Sequence, residues 1–234
     1  MQMAILAGGL GTRLRPLTSE VPKALIPIGG KPFLHHQIEL LKRQGIRDIV
    51  LCVGHLAEQV QDYFGDGRWL GVRIKYSEEK GSLLGTAGAI KKAEPLLGDD
   101  FFLMYGDSYL MIDYQEIMRY FRRFHRLGLM VVWKNLDRLE RSNVSAKGNL
   151  VTAYNKDQKS SDMVYINYGL SVLRKEALVF IPPGRPFSQE EFYQILIDRR
   201  ELLAFEVGQR FYEIGSPRGL EEFEMLVASG AVAR

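Results

Sequence analysis

Cysteine is almost absent from this chain of 234 residues: Cys52 stands alone, inside an apolar run, which excludes disulfide frameworks and cysteine-based metal sites. Histidine is nearly as scarce. His35 and His36 are adjacent at the opening of a helix, while His55 and His125 are isolated, so no histidine set is spaced to ligate a transition metal. No apolar run approaches the roughly 18 residues of a membrane span, and the amino terminus has no basic stretch leading into an apolar segment and a small-residue cleavage site. The expectation is a cytoplasmic protein with no membrane partner. A large surplus of one charge is also missing, with 31 Lys and Arg against 28 Asp and Glu. Arg119, Arg122, Arg123 and Arg126 recur at helical spacing and read as one solvated helix face, so nucleic acid is not an expected partner. Internal repeats and an interdomain linker are lacking too, which points to one domain over residues 1–234.

What is present is a hydrophobic fraction of 46%, enough for a sizeable core. Short runs rich in Ile, Val and Leu alternate with segments of helical period, the pattern of an α/β protein with a largely parallel sheet. Strands are expected over residues 4–6, 48–53, 72–76 and 101–105, and helices over 33–44, 56–64 and 85–93. Past residue 127 the strands shorten, to 129–133, 150–154 and 166–173, and that half reads as mixed. Ser188 with Glu191 has the form of a capping box, and Ser216-Pro217 that of an N-cap followed by an N1 proline, so two more helices follow.

The net charge of +3 is not spread evenly. Residues 1–31 hold Arg13, Arg15, Lys23 and Lys31 against Glu20 alone, which accounts for the whole excess. A local basic site of this kind suits a small anionic ligand. The first strand runs directly into Gly8-Gly9-Leu10-Gly11-Thr12-Arg13, where glycine lets main-chain N–H groups converge on phosphate oxygens without a Cβ in the way. Neither familiar phosphate motif fits. A dinucleotide fingerprint would need a small residue where Leu14 stands, and Pro16 blocks a helix in that register. A Walker A motif would need Ser or Thr after Gly30-Lys31, where Pro32 stands.

LAGGLGTRLRPLT at 6–18 and VPKALIPIGGKP at 21–32 resemble the signature of the sugar-phosphate nucleotidylyltransferase family. GTAGAI at 85–90, YGDSY at 105–109, Asn167-Tyr168-Gly169 and Glu213-Ile214-Gly215-Ser216 continue the match in order. The resemblance implies a Rossmann-like, mostly parallel sheet flanked by helices, the GT-A-like nucleotidyltransferase fold. Residues 1–125 would form a nucleotide-binding half and 126–234 a sugar-binding half. It implies transfer of a nucleotidyl group from an NTP to a sugar 1-phosphate, with Mg2+ as cofactor, as a step toward cell-surface polysaccharide precursors. The chain most resembles the heptose 1-phosphate guanylyltransferase and N-acetylmuramate 1-phosphate uridylyltransferase types, with GTP and a heptose or mannose 1-phosphate as leading substrates. A second copy of the chain is a further candidate partner.

Roles carried over from the family fall on matching residues. Arg13, Lys23 and Asp107 are the catalytic set: Arg13 on the triphosphate, Lys23 between the two phosphates, Asp107 on the metal. Gly8, Gly9, Gly11 and Thr12 supply donors to the triphosphate, and Leu6, Ala7, Glu79, Gly85 and Thr86 surround the base. Asn155, Lys156 and Asn167 face the sugar phosphate. Asn155 stands where the family commonly has Glu, and Glu213, the second metal ligand, where it has Asp. The bland readings stay open beside these: Arg13 as a surface arginine, Lys23 as a solvated loop lysine, Glu79 as part of a solvated Glu78-Glu79-Lys80 run, Glu213 as a helix-flanking acid. The competing function is a non-catalytic nucleotide-sugar-binding regulatory protein of the same fold. A glycosyltransferase would usually show an Asp-x-Asp metal pair, which is absent from the sequence.

Overall fold

The computed structural model describes residues 1–158 and 160–232. The protein is α/β, and the chain forms two compact units. The first comprises Met1–Leu83, Met104–Met111 and the residues from Phe211 on; the second comprises Leu84–Leu103 and Ile112–Arg210. No described helix is long and apolar enough to cross a membrane.

In the first unit the strands Gln2–Leu6, Asp48–Val53 and Arg73–Glu78 run parallel, with Asp48–Val53 in the centre. Its DIVLCV sequence is buried from Ile49 to Val53 because helices cover a parallel sheet on both faces. The helices are Phe33–Arg43, Ala57–Phe64 and Pro217–Ala228. A cluster of Leu14, Ile26, Phe33, Leu40, Tyr109, Ile214, Leu220 and Phe223 ties the first loop to the last helix. Two short ladders complete the unit: Pro27–Ile28 with Lys31–Pro32, and Ser108–Tyr109 with Tyr212–Glu213.

In the second unit Gly128–Lys134 is flanked by antiparallel Tyr165–Arg174 and parallel Leu202–Val207. Leu150–Tyr154 extends the row, antiparallel to Leu202–Val207 and to Val144–Lys147. The mixed character expected past residue 127 is therefore present. The strand Leu202–Val207 was not among the expected elements. Helices Gly85–Ala93, Tyr114–Arg122 and Gln189–Asp198 belong here. The helix Tyr114–Arg122 ends at Arg122, which corrects the expected four-arginine face: Arg119 and Arg122 lie on it and pair with Asp113 and Asp100, whereas Arg123 is its C-cap and Arg126, past its end, pairs with Glu201. The Ser188–Glu191 capping box and the Ser216 N-cap both form.

Candidate active site

The glycine loop leaves the end of the first strand, where Leu6 pairs with Cys52 and Ala7 N–H donates to the Cys52 carbonyl at 2.8 Å. A Cβ on Gly8 would lie 3.0 Å from the Gly54 nitrogen and 3.2 Å from Glu79 Oε2, so this position admits no side chain unless its neighbours move. The contact also places the Glu79 carboxylate against the loop. Further on, Gly11 takes φ +61°, and the buried Thr18 hydroxyl donates to its carbonyl at 2.8 Å. That bond closes the loop around the short 3-10 turn Thr12–Leu14, in which Leu14 is buried and Arg13 exposed. The main-chain N–H groups of Gly8, Gly9, Leu10 and Gly11 donate to no acceptor among the described residues. Four adjacent free donors beside an arginine are the kind of group set that can serve an anion.

Lys23 opens the 3-10 turn Lys23–Leu25, anchored by buried Ala24, and its Nζ lies 2.8 Å from Asp107 Oδ2. Asp107 stands just past the strand Asp100–Tyr105. Gly106 N–H donates to the Leu6 carbonyl at 3.0 Å, and a Cβ on Gly106 would collide with that oxygen. Glycine is what lets the Asp107 segment lie against the end of the first strand. Ile214 N–H then donates to the Asp107 carbonyl at 2.9 Å, extending the ladder that pairs Glu213 with Ser108. A separation of about 100 residues in sequence is closed in this way.

The side chains converge at Gly215. A Cβ there would sit 2.7 Å from Arg13 Nη2, 2.7 Å from Glu213 Oε2 and 2.9 Å from Asp107 Oδ2. One guanidinium and two carboxylates thus border a single point, and Lys23 touches one of the carboxylates. Glu213 is held by its own surroundings: Oε2 accepts from the N–H groups of Gly215 and Ser216, and Oε1 from the Ser216 hydroxyl. Ser216, read from the sequence as a helix cap, thus also orients a candidate metal ligand. Among the described residues no group of three or more His, Cys, Asp and Glu could hold a metal. The acids at Gly215 are a pair, which is what Mg2+ commonly takes from a protein when phosphates and water complete its shell.

Cys52 has a buried thiol pushed up to about 12 by burial and by the Glu79 carboxylate, so it is an inert packing residue.

The remaining expected contacts lie in the second unit. Gly85, at φ +72°, approaches Phe187, whose carbonyl accepts from Ala87 and Gly88. The Thr86 hydroxyl accepts from Gln189 N–H at 2.8 Å, supporting the start of the helix Gln189–Asp198. Asn155 Oδ1 accepts from the N–H groups of Asp157 and Gln158 in a local turn, and Lys156 N–H donates to Glu190. Asn167 Oδ1 accepts from Gly169 N–H at 2.9 Å. Tyr168 is buried, and its hydroxyl donates to the Arg210 carbonyl. The side-chain oxygens of Thr86, Asn155 and Asn167 therefore already serve the local fold.

A family model described as nucleotidyl transferase matches residues 3–141. The D-glycero-alpha-D-manno-heptose 1-phosphate guanylyltransferase of Campylobacter jejuni is 33% identical over 226 residues, covering 95% of this chain and 98% of that protein. The mannose-1-phosphate guanyltransferase of Saccharomyces cerevisiae is also 33% identical over 226 residues, and this chain spans 62% of its length. Among solved structures, HddC from Yersinia pseudotuberculosis, complexed with GMP-PN, superposes with a TM-score of 0.75 at 26% identity. It covers 94% of this chain and 96% of that one.

Proposed function

Because this chain belongs to the nucleotidyl transferase family, we propose that it joins an NTP to a sugar 1-phosphate, releasing pyrophosphate and forming a nucleotide sugar, with Mg2+ as its cofactor. The observation that carries the reading is the meeting of Arg13, Asp107 and Glu213 at Gly215, with Lys23 on Asp107, beside a loop with four uncommitted N–H groups.

The chemistry is in-line attack of a phosphate oxygen on the α-phosphorus, and both reactants are anions. Their repulsion is the obstacle, so the protein must chiefly position them and compensate charge. The loop N–H groups and the Thr12 hydroxyl cradle the triphosphate. Arg13, whose guanidinium can fork onto two oxygens, stabilises the charge that builds on the departing pyrophosphate. Lys23 is a compact cation suited to the incoming phosphate. Asp107 and Glu213 would hold Mg2+, which supplies Lewis-acid neutralisation of phosphate oxygens when bound. No side chain here has to act as a nucleophile.

GTP is the nucleotide this site suits best. Glu79, set against Gly8, accepts hydrogen bonds, and guanine offers it both N1–H and an exocyclic amine, whereas uracil and thymine present an acceptor on one edge. The named substrates of the Campylobacter and yeast relatives make a heptose or mannose 1-phosphate the leading sugar, held by Lys156 with Asn155 and Asn167. Activation of a sugar for cell-surface polysaccharide assembly, by a cytoplasmic protein, is the matching role.

The test is pyrophosphate release with Mg2+, crossing GTP, ATP, CTP, UTP and dTTP against heptose, mannose, glucose and N-acetylmuramate 1-phosphates. Release that needs both substrates and favours GTP is expected. Nucleotide-sugar binding without release from any pair would replace this reading with that of a non-catalytic regulator.

A further inference from the structure

The helix Phe33–Arg43 buries three polar side chains in succession among its apolar ones: His35, His36 and Gln37. His36 is bonded to the Ile28 carbonyl and His35 to Tyr63, both ordinary structural contacts. Gln37, only 1% exposed, is different. Its Nε2 donates to the Ser108 carbonyl at 2.7 Å and to the Tyr105 carbonyl at 3.3 Å. These two carbonyls bracket Gly106 and Asp107. The other side-chain atom, Oε1, is buried and has no hydrogen-bond partner among the described residues.

An amide that strands an acceptor is a poor device for stability alone, since an apolar residue of the same shape would leave no orphan of its own. What the amide does provide is two donors on one rigid planar nitrogen, reaching both sides of Asp107. The main chain already fixes Gly106 to Leu6 and Asp107 to Ile214. With Gln37 added, the segment is held at four successive residues, Tyr105 to Ser108. The Asp107 carboxylate is then aimed at Lys23 and at the space beside Gly215 with little freedom to swing.

We propose that Gln37 is a positioning residue for nucleotidyl transfer, a clamp that sets the pitch of the Asp107 segment and so the place of its carboxylate. The proposal rests on the reading of Asp107 as a working carboxylate given above. Gln37 touches neither Asp107 itself nor any atom that would react.

Two substitutions separate the clamp from simple packing. Gln37→Met keeps the length and removes both hydrogens; Gln37→Glu keeps the outline and one oxygen while losing the amide donors. Mn2+ alone, in place of Mg2+, is titrated into each protein without nucleotide and followed by its electron paramagnetic signal. kcat and KM are measured separately with the best substrate pair. Both variants should unfold cooperatively, bind Mn2+ about 10- to 100-fold more weakly and lose kcat by a similar factor, the order of loss that follows when a group orienting a metal ligand is removed. KM for the sugar 1-phosphate should stay at its wild-type value. A folded variant of either kind with wild-type Mn2+ affinity and wild-type kcat would overturn the clamp, and if Gln37→Met does not fold, Gln37→Glu alone decides. Mn2+ affinity left unchanged by Asp107→Asn would remove the premise and the clamp with it. A wild-type protein that turns over no sugar 1-phosphate would instead retire the transfer reading, while the Mn2+ titrations would still report on the clamp.

Discussion

Arg13, Asp107 and Glu213 all border Gly215, and the reason for a glycine is spatial. Any Cβ would stand within 2.9 Å of Arg13 Nη2, Glu213 Oε2 and Asp107 Oδ2, nearer than side chains tolerate. Gly215→Ala should therefore leave the fold intact and lower kcat by about 100-fold, since displacing reacting groups by an ångström costs that order of rate. Steady-state kinetics beside a circular-dichroism melt checks this, and an unchanged kcat would mean that the groups work elsewhere. Cys52 carries a prediction of the opposite kind, about pH and not rate. The native thiol keeps its proton up to about 12, while the unfolded thiol releases it near 9.0. Above 9.0 the unfolded chain gains from ionising and the native one does not, so stability from this group is complete below that pH and falls as the pH rises from there toward 12. Native protein should accordingly resist iodoacetamide at pH 8 and react fully in denaturant; rapid native labelling would contradict the burial.

Single elements were legible where the signal is local. The strand at 48–53 and the helix at 85–93 have the bounds their periodicity predicts, and the caps at Ser188 and Ser216 form because a hydroxyl before a helix has orphan N–H groups within reach. Ser188→Ala should cost about 1 kcal/mol and the capping box with it. Urea unfolding measures this, and a midpoint equal to wild type would show that the box is not needed. The strand Leu202–Val207 was missed for a physical reason. Its sequence LLAFEV does not alternate, because Leu202, Leu203 and Val207 are buried by pairing on two sides while Glu206 is exposed. The ladder Ser108–Tyr109 with Tyr212–Glu213 has two residues a side and carries no pattern at all, yet it is the element that brings Asp107 and Glu213 together.

At the scale of the whole molecule, glycine and proline punctuation made the loop of residues 6–18 readable, and Arg13, Lys23, Asp107 and Glu213 do assemble in one unit. What no local reading could supply is the meeting point. It depends on Gly106 packing on Leu6 and on main-chain bonds across about 100 residues. Gln37 was hidden for a related reason: on the page it is one polar residue in an amphipathic helix, and only the fold reveals which carbonyls it faces. The two units also interleave along the chain, with Met104–Met111 and the residues from Phe211 on completing the first, which no change in composition announces.

Arg13 and its glycine loop are proposed above as the triphosphate site of a nucleotidyl transferase. The most direct measurement is the rate of pyrophosphate release by wild type and by Arg13→Ala, with GTP, Mg2+ and the preferred sugar 1-phosphate. The variant should be folded and slowed by about 100- to 1,000-fold, the usual cost of removing one donor aimed at developing charge. A folded Arg13→Ala protein that releases pyrophosphate at the wild-type rate would contradict that proposal.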